Sequence, residues 1–271
     1  MPGKRAGLAI GALLIATVGY FAFRPDSPPR NKVPSSPGSG ILSSGQSLDS
    51  ALTATPTDSV LRLGPGDFRL AGSLVLDRPI RLVGVHRDST RIILSPAVAL
   101  ALGDGASGFE VANIEILVEP GSGPPAAVTV AANGTLTDAR LRGPGAQDGC
   151  SGGVAVLVAG GSKTRIARTE VTGFCTAIQV RDSAAPEIGG SVLSDNDTGI
   201  RFLGQAGGNV IDGQIVRNRD GIVVLGQAAP TLERNQISDN RSHGLLRAKA
   251  ARPQLRNNNI RNNLRDELVL P

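Results

Sequence analysis

From Gly134 onward the apolar residues of this chain fall in short alternating runs, three or four residues at a time, and never at helical spacing over a long window. "PTLERNQISDN" (Pro230 to Asn240) and "PQLRNNNIRNN" (Pro253 to Asn263) share the frame Pro-x-Leu-x-x-Asn-x-Ile-x-x-Asn. With Pro230 as position zero, Leu232, Asn235, Ile237 and Asn240 fall at +2, +5, +7 and +10. The same frame starts at Thr164, Pro186, Gly208 and Pro253, and more loosely at Gly134. Steps of 22, 22, 22 and 23 residues separate Thr164 from Pro253, while the step from Gly134 to Thr164 is 30, with the surplus around "GAQDGCSGG". Each later unit then resumes with a Gly-apolar pair: Gly199-Ile200, Gly221-Ile222 and Gly244-Leu245.

A fixed period near 22 residues with alternating apolar positions predicts a solenoid whose coils are short strands joined at Gly, Asn or Asp corners. Asparagine at one corner of successive coils can bond the Asn above and below, which satisfies an amide that is costly to bury alone. Asn196, Asn218, Asn240 and Asn263 are expected to form one such ladder, and Asn235 with Asn258 a second. Ile200, Ile222 and Leu245 should stack inside, as should Ile188, Val210, Leu232 and Leu255. A leucine-rich repeat shares the period, but its dense L-x-x-L-x-L frame and helical return are missing.

These repeats resemble the right-handed parallel β-helix of pectate-lyase-like proteins, over about Gln46 to the end. The resemblance implies an all-β solenoid of about nine coils. "SLDSALTATPTDSVLRLGPGDFRL" looks like that family's opening, with a short amphipathic cap helix before the first coils. Many functions share this scaffold, so activity has to be read from particular residues.

The first 45 residues follow other rules. "AGLAIGALLIATVGYFAF" (Ala6 to Phe23) holds no charge and follows a basic start, which reads as a signal anchor over residues 1–23 or, failing that, a cleaved secretory signal. Residues 24–45, rich in Pro, Ser and Gly, read as a spacer. The expected placement is a single-pass membrane protein with the 46–271 domain periplasmic or extracellular, or a secreted domain after cleavage.

Composition sharpens this picture. Aromatic residues are only 3%, so Val, Ile, Leu and Ala must fill the core. The net charge of +5 is unevenly spread: residues 1–32 carry +4, residues 33–200 carry 12 bases and 16 acids, and residues 201–271 carry 11 bases and 6 acids. A basic distal part without aromatics for stacking disfavours nucleic acid and suits an acidic polysaccharide or another anionic envelope polymer. Arg201, Arg217, Arg219, Arg241 and Arg247 are the candidate ligand-binding residues.

Catalytic candidates are scarce. In the enzymes the resemblance points to, carboxylates project from one strand face across neighbouring coils. The corresponding outward positions here are Gln179, Arg201, Val223 and Leu246, none of them acidic. Asp195, Asp197, Asp220 and Asp239 read as turn residues, with Asp197 stacked under Arg219 and Arg241. His243 reads as a solvated turn histidine and His86 as structural or solvated, so neither a catalytic residue, a metal site nor a cofactor is assigned. The functional reading is a non-catalytic binding or structural protein of the envelope; the alternative is a polysaccharide lyase or glycoside hydrolase with a diverged site. A disulfide between Cys150, in the inserted loop, and Cys175, at the next corner, is expected on export; two buried thiols are the alternative.

Overall fold

The computed structural model describes residues 40–121, 126–146, 150 and 153–271. The anchor and most of the spacer expected over residues 1–45 lie outside the described residues, within which no helix is long and apolar enough to cross a membrane. The remainder is a right-handed parallel β-solenoid of about ten turns. Three parallel sheets run its length, with ten, nine and nine strands; nine coils give one strand to each, and Ile41–Leu42 is the tenth of the first sheet. In one coil these are Glu187–Gly189 in the first sheet, Val192–Ser194 in the second and Thr198–Phe202 in the third. The next coil repeats them in register as Asn209–Ile211, Gln214–Val216 and Asp220–Val224. Pairing begins at Ile41, five residues before Gln46, because Ile41–Leu42 aligns with Arg62 and Leu63.

The core is built of columns. Ile188, Val210 and Leu232 stack from the first sheet, Leu193, Ile215 and Ile237 from the second, and Ile200, Ile222 and Leu245 from the third, all nearly or fully buried. At the other end, helix Leu48–Ala54, capped by Ser47 Oγ accepting from Ser50 N, buries Leu48 and Leu52. Leu255 departs from expectation: it continues the first column but is 43% exposed, since no further described coil lies over it. At this end Arg247 and Glu267 occupy positions whose partners in the preceding coil, Val224 and Leu245, are fully buried. Their Nε–Oε1 bond of 2.8 Å puts an ion pair where the core would continue, a charge that opposes edge-to-edge pairing.

From Asp138 onward two corners of each coil turn through a left-handed residue. At the corner from first to second sheet these are Asp138, Arg168, Gly190, Asp212, Arg234 and Asn257; at the corner from second to third they include Asp195, Arg217, Asp239 and Asn262. Such a turn leaves the following N–H pointing along the solenoid axis instead of into a strand ladder, and the asparagine column supplies its acceptor. Asn218 Oδ1 accepts from Asn196 N and Nδ2, both at 3.1 Å, and Asn240 Oδ1 accepts from Asn218 N and Nδ2 at 3.0 and 3.2 Å. Asn263 Oδ1 does the same for Asn240. Each amide also donates to a carbonyl on the preceding coil, as Asn218 Nδ2 does to Leu193 O at 3.0 Å. Asn196, Asn218 and Asn240 are at most 2% exposed.

The column ends in a substitute. Asp266 Oδ1 accepts from Asn263 N and Nδ2, at 3.2 and 2.9 Å, in the place a further asparagine would take. The shorter second ladder runs from Gly213 N to Asn235 Oδ1 and from Asn235 N and Nδ2 to Asn258 Oδ1. The Gly-apolar pairs belong to the same corner. A Cβ on Gly221 would lie 2.5 Å from Gly244 O and 2.9 Å from Asn240 Nδ2, so only glycine lets the strand leave beside the ladder.

Cys150 and Cys175 are disulfide-bonded, with their Cα atoms 5.5 Å apart. The bond ties the inserted loop to the corner below Asn196, where Phe174 N donates to Asn196 Oδ1.

Asn218→Leu leaves Asn196 N without its acceptor in a buried site, while Asn196 Nδ2 keeps Val171 O and Ser194 O. The expected loss is ~1–3 kcal/mol for each group stranded, read as a fall in urea midpoint. An unchanged midpoint would mean that the column does not hold the corners.

Candidate functional site

The surface between the corners is written in columns too. On the second sheet one outward column reads Asp67, Arg91, Glu115, Arg140, Glu170 through five coils, strictly alternating in charge. Glu115, only 3% exposed, receives Arg91 Nε at 2.8 Å and Arg142 NH1 at 3.1 Å. The loop after Val85 folds over the same face: Arg87 donates to Glu170 at 2.7 Å, and Arg140 donates to Asp88 at 2.7 Å. The left-handed corners carry similar pairs. Arg168 grips Asp138 through two nitrogens (2.7 and 2.6 Å), Arg217 grips Asp195 (3.2 and 2.9 Å) and Arg234 grips Asp212 (2.8 and 3.1 Å). A two-point guanidinium–carboxylate contact between adjacent coils explains arginine in a conformation it otherwise avoids.

These contacts decide what the candidate arginines can do. Arg217 is committed to Asp195, Arg219 to Asp197 and Asp220, and Arg247 to Glu267. Arg241 forms no ion pair among the described residues and lines a depression of about 360 Å³ with Ala146, Asp195, Arg217 and Asp239. A neighbouring depression of about 440 Å³, sharing Asp195, lies over Arg140, Arg142, Thr172, Val192 and Ser194. The candidates thus do not converge: Arg217, Arg219 and Arg241 follow the corner between the second and third sheets, Arg201 faces outward on the third, and Arg247 closes the end of the core.

The third sheet holds what the sequence did not disclose. Its outward column beside the corner reads Thr176, Thr198, Asp220, His243, Arg265, and the parallel column reads Gln179, Arg201, Val223, Leu246, Leu268. Asp220 is therefore not a turn residue: it opens the strand Asp220–Val224 and is 6% exposed. Nor is His243 a solvated turn residue. It opens the strand His243–Ala248 with an imidazole 17% exposed. The one-residue insertion in this coil is absorbed at the corner, so that histidine falls into strand register directly above Asp220.

Asp220 Oδ1 lies 2.8 Å from His243 Nδ1, and Ser242 Oγ lies 2.9 Å from the same nitrogen. The other carboxylate oxygen is held by Arg219, whose NH2 lies 3.2 Å from both Asp220 and Asp197. A carboxylate only accepts, so this contact places the proton on Nδ1 and the lone pair on Nε2, which has no hydrogen bond among the described residues. Two coils below, Arg201 NH2 donates to Thr198 Oγ1 at 3.1 Å, but its Nε is buried with no hydrogen-bond partner among the described residues. Such a group is rare in a folded protein. Among the described residues no three His, Cys, Asp or Glu side chains gather as a metal centre would require.

Known proteins support the architecture. Residues 148–267 match the family model described as a right handed beta helix region. The Azotobacter vinelandii mannuronan C-5 epimerase AlgE4 A-module superposes with a TM-score of 0.52 at 15% identity, covering 86% of this chain and 78% of that one. The A-module of AlgE6 from the same organism gives 0.45 at 15%, covering 82% and 74%. The catalytic domain of a GH87 alpha-1,3-glucanase gives 0.39 at 11%, covering 80% of this chain and 53% of that one. No curated protein sequence matches.

The arginine pairs carry a pH signature. Hydrogen bonds from Arg140, Arg168 and Arg234 hold the carboxyls of Asp88, Asp138 and Asp212 below the ordinary aspartate value. A carboxyl lowered in the folded state contributes stability above its unfolded pKa of about 4 and loses it as pH falls through the lowered value. Melting temperature should hold from pH 7 to about 4 and then decline, by a small amount because the pairs are exposed; a rise on acidification would contradict the pairing. In register, handedness and corner chemistry the described residues form a right-handed parallel β-solenoid, of which residues 148–267 match the right handed beta helix region.

Proposed function

We propose that the outer face of the third sheet binds an acidic polysaccharide, and that the protein serves as an envelope binding element held near the membrane by its N-terminal segment. The observation that carries this reading is Arg201 on that outer face, hydrogen-bonded to the Thr198 hydroxyl and outside any ion pair among the described residues. Beyond the buried Val223, the half-buried Leu246 and Leu268 continue its column as a short apolar strip, which suits the C–H faces of sugar rings. Arg265, exposed and outside any ion pair among the described residues, stands at the far end of the strip. Donors along one flat face, with apolar contact between them, suit a long polymer better than a small enclosed ligand. The fold is shared with the mannuronan epimerase module, which supports a polysaccharide as partner class.

The paired arginines refine the reading made from charge alone. Of the basic residues after position 200, Arg217, Arg219, Arg234 and Arg247 are already neutralised by neighbouring carboxylates. Arg201, Arg241, Lys249, Arg252, Arg256, Arg261 and Arg265 form no ion pair among the described residues, and of these only Arg201 and Arg265 stand on strands of the third sheet. Residues chosen by charge alone would include several that cannot be released cheaply, since each leaves a carboxylate behind.

Affinity electrophoresis of the full chain through gels containing polygalacturonate or neutral dextran tests the face. Retardation by the acidic polymer alone is expected, weakening with salt. Arg201→Gln with Arg265→Gln should weaken it about tenfold or more, equivalent to ~1.4 kcal/mol. Arg234→Gln, on the opposite corner, should leave it unchanged. Equal retardation of the double variant and the parent would remove this face from the account.

A further inference from the structure

We infer that His243 is a third anion-binding group of the third-sheet face and acts only as imidazolium, so that the face holds an acidic polymer more tightly as pH falls. The inference rests on the polysaccharide-binding reading above and adds its regulation. Asp220, His243 and Arg265 stand in strand register on three successive coils. Asp220, 6% exposed, lies 2.8 Å from Nδ1 of the histidine. The two nitrogens of an imidazole diverge, so this contact turns Nε2 away from the acid. Among the described residues Nε2 makes no hydrogen bond, and only Arg201 Nε is both buried and unpartnered, so Nε2 reaches solvent.

In the neutral ring Nε2 shows a lone pair, which repels a carboxylate oxygen. Protonated, the same atom becomes an N–H donor on a positive ring. Nδ1–H donates to Asp220 in both states, so the imidazole keeps its place while its outer nitrogen changes character. The charges around it are largely committed. On the preceding coil Arg219 NH2 lies 3.2 Å from both Asp220 and Asp197. On its own strand Arg247 is bound to Glu267. At the corner Asp239 accepts from Ser238 Oγ, and Arg241 is exposed. On the following coil Asp266 accepts from Asn263, which leaves Arg265 exposed and outside any ion pair among the described residues.

Parallel strands place Arg265 about 4.8 Å along the axis from His243, beside Leu246 and Leu268. One carboxylate lying between the two residues can accept from the guanidinium and from a protonated Nε2 together. It neutralises both cations, so proton and polymer each favour the binding of the other. Imidazole changes charge between about pH 5 and 8, whereas carboxyl groups titrate near about 4 and arginine stays charged throughout. Within that window the polymer and the arginines keep their charge and the histidine gains one as pH falls. The chain has one other histidine, His86, which lies beside Asp88 in the loop over the second sheet and serves as a control.

The test measures equilibrium binding of the full chain to polygalacturonate at fixed ionic strength, in steps from about pH 8 to about pH 5.5. Affinity should rise about tenfold as pH falls. His243→Gln should bind as the parent does at the upper end and gain nothing below it, while His86→Gln should gain as the parent does. Imidazole NMR of the parent supplies a second reading that needs no variant: His243 should titrate at a higher pH with polygalacturonate bound than without it. That displacement separates the gate from a folding defect in His243→Gln. Flat affinity, a parent-like gain in His243→Gln, or a His243 titration unmoved by the polymer overturns the gate and leaves the binding face standing. Absence of binding at both ends of the range overturns the gate and the reading beneath it.

Discussion

A coil of 22 residues can close around an apolar core only if its corners are sharp, and a sharp corner strands a buried N–H. The asparagine column resolves this constraint. One amide oxygen takes both the backbone and the side-chain N–H of the asparagine on the preceding coil, and the amide nitrogen reaches a carbonyl on that same coil. Because each Asn serves its neighbour, the device works only when coils are stacked at constant length. The repeat period and the corner chemistry are thus one requirement. Asp266 shows the rule at its boundary, where a carboxylate from the same corner stands in for the missing amide.

Fixed corners make the outer surface periodic as well. The third-sheet strands from Thr198 on start two residues beyond the ladder asparagine, or three at His243 where the corner absorbs the extra residue, so residues from different coils line up without any local signal. Asp220 and His243 are 23 residues apart in sequence yet in hydrogen-bond contact, and Arg265 lies over them for the same reason. The backbone here is held by ladders on both sides, which gives the pair a rigid support. The same periodicity distributes charge: acids and arginines alternate along columns, and most of the positive charge is spent between coils before a ligand arrives.

Much of the fold was legible in the chain. Asn196, Asn218, Asn240 and Asn263 recur at one repeat position, and asparagine at a buried position announces a partner. The direction of the bonding was not legible, because backbone N–H groups at left-handed residues have no sequence mark. The surface was read less well. Assigning Asp220 and His243 to turns treated each corner as one residue longer than it is, since both residues open strands. Arg217, Arg219 and Arg247 carried a basic signature, but charge counting cannot see that Asp195, Asp197 and Glu267 stand one coil away. The contact of Arg87 with Glu170 spans 83 residues and depends on a loop outside the repeat frame.

The side-chain amide protons of the ladder provide the most direct observation of the constraint itself. In native-state hydrogen exchange followed by NMR, the amide protons of Asn196, Asn218 and Asn240 should exchange as slowly as the core strand N–H groups beside them, because opening one corner breaks bonds on two coils. Exchange at the rate of a solvent-exposed asparagine would contradict the account, since the corners would then be held by something other than the column.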